Sequence, residues 1–460
     1  MEIKIFNFGP IKKFEIDLSK DLVITYGKNN IGKSYAISVV YLLLKRFLET
    51  SDFFLEKFFQ SEVFKEKSKA LEKQIREKKA CNITDKINNI IKNVLNNEFA
   101  GKLENSFKNT FGRLSVIKNF KVKGSPLIWI NILNHEILFE AGEKIQVKKF
   151  SPAKDIFVEF SAGENGIRTL EDRYILFVSD EVDFNELLET FISDRIRGML
   201  DNIKNGFGEI YFLPASRSGR FMGMQSMVPL MAELSKIKTL LTQKIELPAM
   251  PEPIADYILQ LAGIRGIPTQ NKGLSSIVKY LEEKILGGEI GFDATKGYLT
   301  YSPGGSDLIL DMNSASSMVS ELSPFAAFIK YILWENTGNS AGDPKPVIFI
   351  EEPEAHLHPE AQVMLVEMFI KLIEAGVKVI VTSHSNYIFN KLSNMLIAGA
   401  LSPGRFAPIV LKDMPGGSVS RSMCVDELGI EDENFIDTAD ALYEERENII
   451  ERLNQESDDR

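Results

Sequence analysis

Gly27-Lys28-Asn29-Asn30-Ile31-Gly32-Lys33-Ser34 fits the phosphate-binding pattern G-x-x-x-x-G-K-[ST]. Gly27 and Gly32 let the backbone curl so that its N–H groups point inward at phosphate oxygens. Lys33 is placed to reach the β- and γ-phosphates, and the Ser34 hydroxyl to ligate Mg²⁺. Far along the chain, Val347-Ile348-Phe349-Ile350 runs into two carboxylates, Glu351 and Glu352. Glu351 would hold Mg²⁺ through its water shell, and Glu352 would polarise an attacking water as general base. Thr382-Ser383-His384-Ser385 adds a histidine that can hydrogen-bond a γ-phosphate and sense its loss. Together these segments imply a nucleoside-triphosphate hydrolysis site for ATP and Mg²⁺, with most of the chain spliced between its halves.

Such a site needs particular elements beneath it. Asp21-Leu22-Val23-Ile24-Thr25-Tyr26 is short, apolar and β-rich and reads as a buried strand. After Ser34 the run from Tyr35 to Leu44 is apolar enough for a buried helix, and the helix N-terminus favours anions. The bland alternative is a glycine turn before a helix. Val347–Ile350 reads as a central parallel strand, with its acids at the end where ligands bind in open α/β sheets. Solvated acids at a strand end are the alternative there. Val379-Ile380-Val381-Thr382 predicts a neighbouring strand that carries His384 at its end; a histidine in that place also serves purely structural roles. His356 and His358 flank a single residue, which opens a zinc reading, but no Cys pair stands nearby.

Residues 347–359, Val-Ile-Phe-Ile-Glu-Glu-Pro-Glu-Ala-His-Leu-His-Pro, resemble the Walker B and D-loop region of ABC-type ATPases of the OLD group. The SMC and RecF ATPases are more distant kin. Asn29-Asn30-Ile31, Thr382–Ser385 and the opening hairpin around Gly9-Pro10 are similar to the same group. The resemblance covers roughly residues 1–45, 205–225 and 300–435. It implies an α/β fold: a P-loop ABC-type ATPase head with a mixed sheet, a flanking antiparallel sheet and an inserted helical arm. It also implies that a serine signature completes the site of a second copy. Asn313-Ser314-Ala315-Ser316-Ser317-Met318 matches that signature, with Ser316 and Ser317 facing a γ-phosphate. Met318 stands where the group has glycine, so a plain helix cap by Ser317 is the alternative. Two further departures are Glu351-Glu352 in place of Asp-Glu, and Ser216 and Arg217 where a glutamine is usual. Arg217 reads equally as a nucleotide contact or as a structural ion pair.

The split motifs argue for one head with insertions. The first half of the head spans residues 1–45 and a helical arm 46–120. A β-rich part of the head follows at 121–225, then a helical insertion at 226–300. The second half of the head covers 301–435, and a polar helix 436–460. The arm lacks a sustained heptad, which excludes a long coiled coil. Its aromatics Phe53, Phe54, Phe58 and Phe59 could anchor a partner or pack the arm against the head. Residues 293–310 offer a hairpin around Gly304-Gly305. Lys and Arg number 54 against 64 acids, a net charge of −10, which disfavours a whole surface made for nucleic acid. The basic stretches at 118–123 and 144–154 read more simply as solvated faces. Cys81 and Cys424 cannot build a disulfide framework. The chain has no span of about 20 apolar residues, and a cytoplasmic location without membrane contact is expected.

The residues after His384 show no run of acidic metal ligands on successive strands, so a Toprim nuclease is not expected here. The arrangement resembles the stand-alone ATPases of bacterial anti-phage systems, of the AriA type of PARIS or the PtuA type of Septu. That resemblance implies a sensor or scaffold subunit, a homodimer or higher assembly formed through ATP, and a separate effector nuclease. A RecF-like repair ATPase that binds DNA is the second reading, and a transporter ATPase subunit the third.

Overall fold

The computed structural model describes residues 1–51, 53–78, 80–160, 166–179, 183–221, 223, 250–268, 271–295, 297–333, 343–426, 428–431 and 442–450, and of Phe53, Phe54 and Asn313 only the backbone. The molecule is a mixed α/β protein built on an 11-stranded sheet. The strand order is Phe207–Leu213, Lys345–Glu351, Lys378–Ser383, Leu22–Gly27, Phe406–Met414, Gly417–Ser422, Ile11–Asp17, Glu2–Phe8, Leu127–Ile132, His135–Ala141 and Ile145–Ser151. The first five strands are parallel to one another. Antiparallel hairpins make up most of the far end.

The parallel strands are buried on both faces, as their continuous apolar runs require. Alternate side chains feed two cores. Val23, Val347, Phe349 and Ile380 join one, beneath the helix Lys33–Leu48 and the arm. Ile24, Ile348, Ile350, Val379 and Val381 join the other, beneath the helices Ser317–Tyr331, Pro359–Glu374 and Asn386–Ile397. Register then sets the site. Glu351 stands opposite Thr382, and Ser383 opposite Tyr26, so three strands finish side by side at one edge.

The arm comprises helices Phe53–Phe59, Glu62–Lys78, Thr84–Leu95 and Gly101–Phe111. Phe58 and Phe59 are buried and meet Phe64 edge-on, with ring centroids 5.8 and 4.9 Å away. Of the two uses open to these aromatics, packing is the one Phe58 and Phe59 serve; the side chains of Phe53 and Phe54 lie outside the described residues. The strand-rich stretch after the arm divides between two sheets. Residues 127–151 extend the main sheet through Glu2–Phe8, while Asp155–Phe160, Gly166–Thr169 and Arg173–Val178 form a smaller mixed sheet with Ala80–Asn82. The hairpin around Gly304-Gly305 is the second of two, because Gly288–Asp293 first pairs with Tyr298–Pro303. The helices expected from 226 onward are described at Glu252–Ala262 and Lys272–Tyr280; residues 224–249 lie outside the described set. Of the polar C-terminal segment, 442–450 is helical and exposed.

Candidate nucleotide site

The phosphate loop leaves the Leu22–Gly27 strand and ends where the helix Lys33–Leu48 begins. Gly27 has φ +147° and Gly32 φ +102°, values that side chains resist. Space forbids one as well. A Cβ on Gly27 would lie 2.7 Å from the Leu411 carbonyl oxygen, and one on Gly32 2.7 Å from Ile11 Cγ1. Asn30, at φ +62°, completes the curl. No side chain caps the helix at Gly32, which leaves its first N–H groups for an anion.

Lys33 is 5% exposed. Its ammonium donates to the carbonyls of Gly27 at 3.0 Å and Lys28 at 2.9 Å, and to His384 Nε2 at 2.8 Å. Burial brings its pKa down to about 8, against the opposing pull of Glu352 and Glu354. Glu351 ends the strand Lys345–Glu351. It is buried, accepts hydrogen bonds from Ser34 and from the Ala215 N–H, and burial raises its pKa. Such a carboxylate beside a hydroxyl is a fitting pair of oxygen ligands for a hard divalent cation.

Glu352 is the first residue past the strand and has φ +42°. Its N–H donates to Thr382 O at 3.0 Å, and its Oε1 lies 3.3 Å from His384 Nε2. That nitrogen serves one partner at a time: bare, it accepts from Lys33; carrying a hydrogen, it donates to Glu352. The hydrogen bond with His384 is the main reason the Glu352 carboxyl sits below its ordinary range, and burial opposes it. His384 is itself held by Glu354, whose Oε1 accepts from the His384 N–H and from Ser383 Oγ. Burial raises the Glu354 pKa. Glu354 is not among the residues that the motifs single out, and its one signal in the sequence is a carboxylate two residues past Glu352. Ser385 caps the helix Asn386–Ile397 by accepting from the Ile388 N–H at 3.1 Å.

The fold thus gathers Gly27, Lys28, Asn29, Asn30, Ile31, Gly32, Lys33, Ser34, Glu351, Glu352 and His384 at one sheet edge. No hydrogen bond or ion pair among the described residues joins Ser316 or Ser317 to that cluster. Ser316, rather than Ser317, caps the helix Ser317–Tyr331, accepting from the Val319 N–H at 3.4 Å. Arg217 is 1% exposed and forms a buried ion pair with Glu321, Nε to Oε2 at 3.6 Å. The structural reading of this arginine therefore holds. His358 Nδ1 accepts from the Glu360 N–H at 3.4 Å as a helix cap, and no third His, Cys, Asp or Glu among the described residues completes a metal site with it and His356.

Residues 232–389 match the family model described as AAA ATPase domain, a match that includes the Glu351–Glu352 strand and His384. No curated protein matches. Among solved structures, the chain is similar to an SMC head bound to the C-terminal winged-helix domain of ScpA, at 12% identity and TM-score 0.41, covering 92% of this chain and 98% of that one. The SMC head domain from Thermotoga maritima gives 10% identity and TM-score 0.35 over 92% and 98%. An SMC head with an extended coiled coil, bound to the C-terminal domain of ScpA derived from Pyrococcus furiosus, gives 12% and 0.37 over 97% and 98%. At such scores the fold rests on this chain's own strand order. No helix among the described residues is long and apolar enough to cross a membrane. The family match and the phosphate loop support a nucleotide-binding ATPase.

Proposed function

We propose that this chain is a Mg²⁺-dependent ATPase of ABC type, acting as the sensor or scaffold subunit of a bacterial anti-phage system with a separate nuclease effector. The observation that carries the ATPase reading is the convergence of Lys33, Glu352 and His384, from three segments far apart in sequence, within 3.4 Å of one another through His384. Lys33 holds the β- and γ-phosphates. Ser34 and Glu351 hold the cation, which when bound offsets charge on the phosphates. Glu352 takes the proton of the attacking water, and His384 holds the γ-phosphate. Lys33 bonds to its own loop and to His384, which puts its ammonium between the two segments that face the phosphates. Ser316 and Ser317 act on the γ-phosphate of a second copy, which makes the active assembly a C₂ dimer or a multiple of it. The defence role is supported by the resemblance of residues 347–359 and 382–385 to the OLD group.

The test is direct. Purified protein is expected to hydrolyse ATP slowly and only with Mg²⁺. Lys33→Ala is expected to lose nucleotide binding. Glu352→Gln is expected to bind ATP yet turn it over at least about a hundredfold more slowly. A Glu352→Gln protein with the parental rate sinks the assignment. Co-expression with the adjacent gene and pull-down tests the effector.

One surface favours the RecF-like reading. Phe120 is 86% exposed among the exposed Lys118, Lys121 and Lys123, and no acid occurs between Glu104 and Glu136. Tight ATP-dependent binding to DNA ends, with no protein partner recovered, selects it.

A further inference from the structure

The strand Phe207–Leu213 ends in a tight loop whose Ser216 has φ +55° and whose Arg217 turns inward. The Arg217 guanidinium is directed at backbone. Nη1 donates to Glu351 O at 2.9 Å and Pro214 O at 3.3 Å, Nη2 to Glu352 O at 3.5 Å, and Nε to Glu321 O at 3.4 Å. It therefore grips the peptides on both sides of Glu352. Glu352 there holds a left-handed conformation that a non-glycine residue keeps only when its surroundings impose it.

Glu321 closes the other side of the link. Its Oε2 accepts from the Arg217 N–H at 3.1 Å and its Oε1 from Ser218 Oγ at 2.8 Å. It belongs to the helix that Ser316 caps. Tyr257 OH donates to Arg217 O at 3.1 Å and fixes the loop from a third element. Both members of the ion pair are sealed from water, at 1% and 3% exposure. A guanidinium presents five N–H donors in one rigid plane and can meet these four carbonyls while paired with a carboxylate, whereas an ammonium has only three donors.

We propose that Arg217 is the positioning residue for Glu352, and that its buried pair with Glu321 makes the helix beginning at Ser316 and the peptide of the general base one mechanical unit. The inference rests on the ATPase reading of the site. Arg217 touches no reacting atom. It aims Glu352 toward the phosphate loop, and it does so from the strand end where the related ATPases use a glutamine. A shift of the Ser316 helix is then passed to Glu352 through two side chains.

The experiment measures nucleotide affinity, steady-state and single-turnover hydrolysis, and thermal midpoint for Arg217→Lys, Glu321→Gln and the double variant Arg217→Lys/Glu352→Gln. Arg217→Lys is expected to bind ATP within about threefold of the parent and to lose about tenfold or more in kcat. Glu321→Gln keeps the shape of the side chain and serves if Arg217→Lys fails to fold; it is expected to lose about threefold or more in kcat with affinity unchanged. Because Arg217 acts through Glu352, the double variant is expected to match the residual rate of Glu352→Gln. A folded Arg217→Lys with the parental kcat overturns the proposal. So does a loss of affinity in step with kcat, or a double variant slowed by the full Arg217→Lys factor. A parent protein that hydrolyses no ATP fails the ATPase reading instead, and the two failures are told apart by that one control.

Discussion

Lys33 concentrates the electrostatics of the site. Burial brings its pKa down to about 8, while phosphate oxygens favour the charged form. Binding ATP therefore draws a proton onto the lysine once the pH exceeds about 8. Affinity is expected to fall as pH rises above that point, by up to about tenfold per unit. Calorimetry in buffers of different ionisation heat would register the proton uptake; an affinity flat from about pH 7 to about pH 9 would refute this view of Lys33. Gly32 is the second residue-scale test. A Cβ there meets Ile11 and Pro10 side chains at 2.7 and 2.8 Å, on a backbone already at φ +102°. Gly32→Ala is expected to abolish binding of a fluorescent ATP analogue while circular dichroism still reports a folded protein.

At the scale of elements, strand positions determine where the carboxylates arrive. Phe349 is fully buried in the strand that carries them, and meets Tyr41 edge-on at 5.5 Å and Phe212 face-on at 6.3 Å. Phe349→Ala is expected to cost about 3–5 kcal/mol, read from the denaturant midpoint. At the opposite end of the parallel strands, Asp21 gathers Arg405 at 2.6 Å, Lys345 at 3.0 Å and Lys378 at 3.7 Å. Burial pushes the Asp21 pKa up, but the hydrogen bonds from Arg405 and Lys345 and the charge of Lys378 outweigh it, so the folded value lies below 3.8. A depressed carboxyl pKa contributes stability that is present above the unfolded value and lost as pH falls through the folded one. Asp21→Asn is expected to lower stability at neutral pH by about 1–3 kcal/mol and to flatten the acid limb of the stability curve. An unchanged acid limb would show that Asp21 contributes nothing to it.

For the whole molecule, the proposed mechanism ties hydrolysis to the number of copies that meet. If Ser316 and Ser317 act on a second copy, hydrolysis depends on assembly. Specific activity is expected to rise with protein concentration, and Glu352→Gln with ATP and Mg²⁺ to run as a dimer or larger species in light scattering. A protein that stays monomeric in both the parent and Glu352→Gln forms, with activity independent of concentration, rules the dimer out. The arm bears on this scale too. Burial of Phe58 and Phe59 assigns them to the arm's own packing, so a partner there would have to use other residues.

The phosphate loop, the paired carboxylates and the strand before each were legible in the sequence because their signals are local. A glycine spacing, an apolar run and a charge at its end each lie within about ten residues. The join between the two halves was legible only as chemistry that made sense together. The register that sets Glu351 beside Thr382 and Ser383 beside Tyr26 was decided by tertiary structure, because strand neighbours hundreds of residues apart are chosen by which faces both cores can bury. The same holds for Arg217. Its sequence neighbourhood allowed a ligand contact and an ion pair equally, since an arginine's role depends on what stands opposite its fork. Glu321 and the carbonyls of Glu351 and Glu352 reach that place only when the strand ends and the Ser316 helix meet. Orientation of His384 by Glu354, and the backbone strain at Glu352, are likewise properties of packed strand ends. Local pattern therefore marked residues whose types suit this chemistry, and long-range packing determined how each is held.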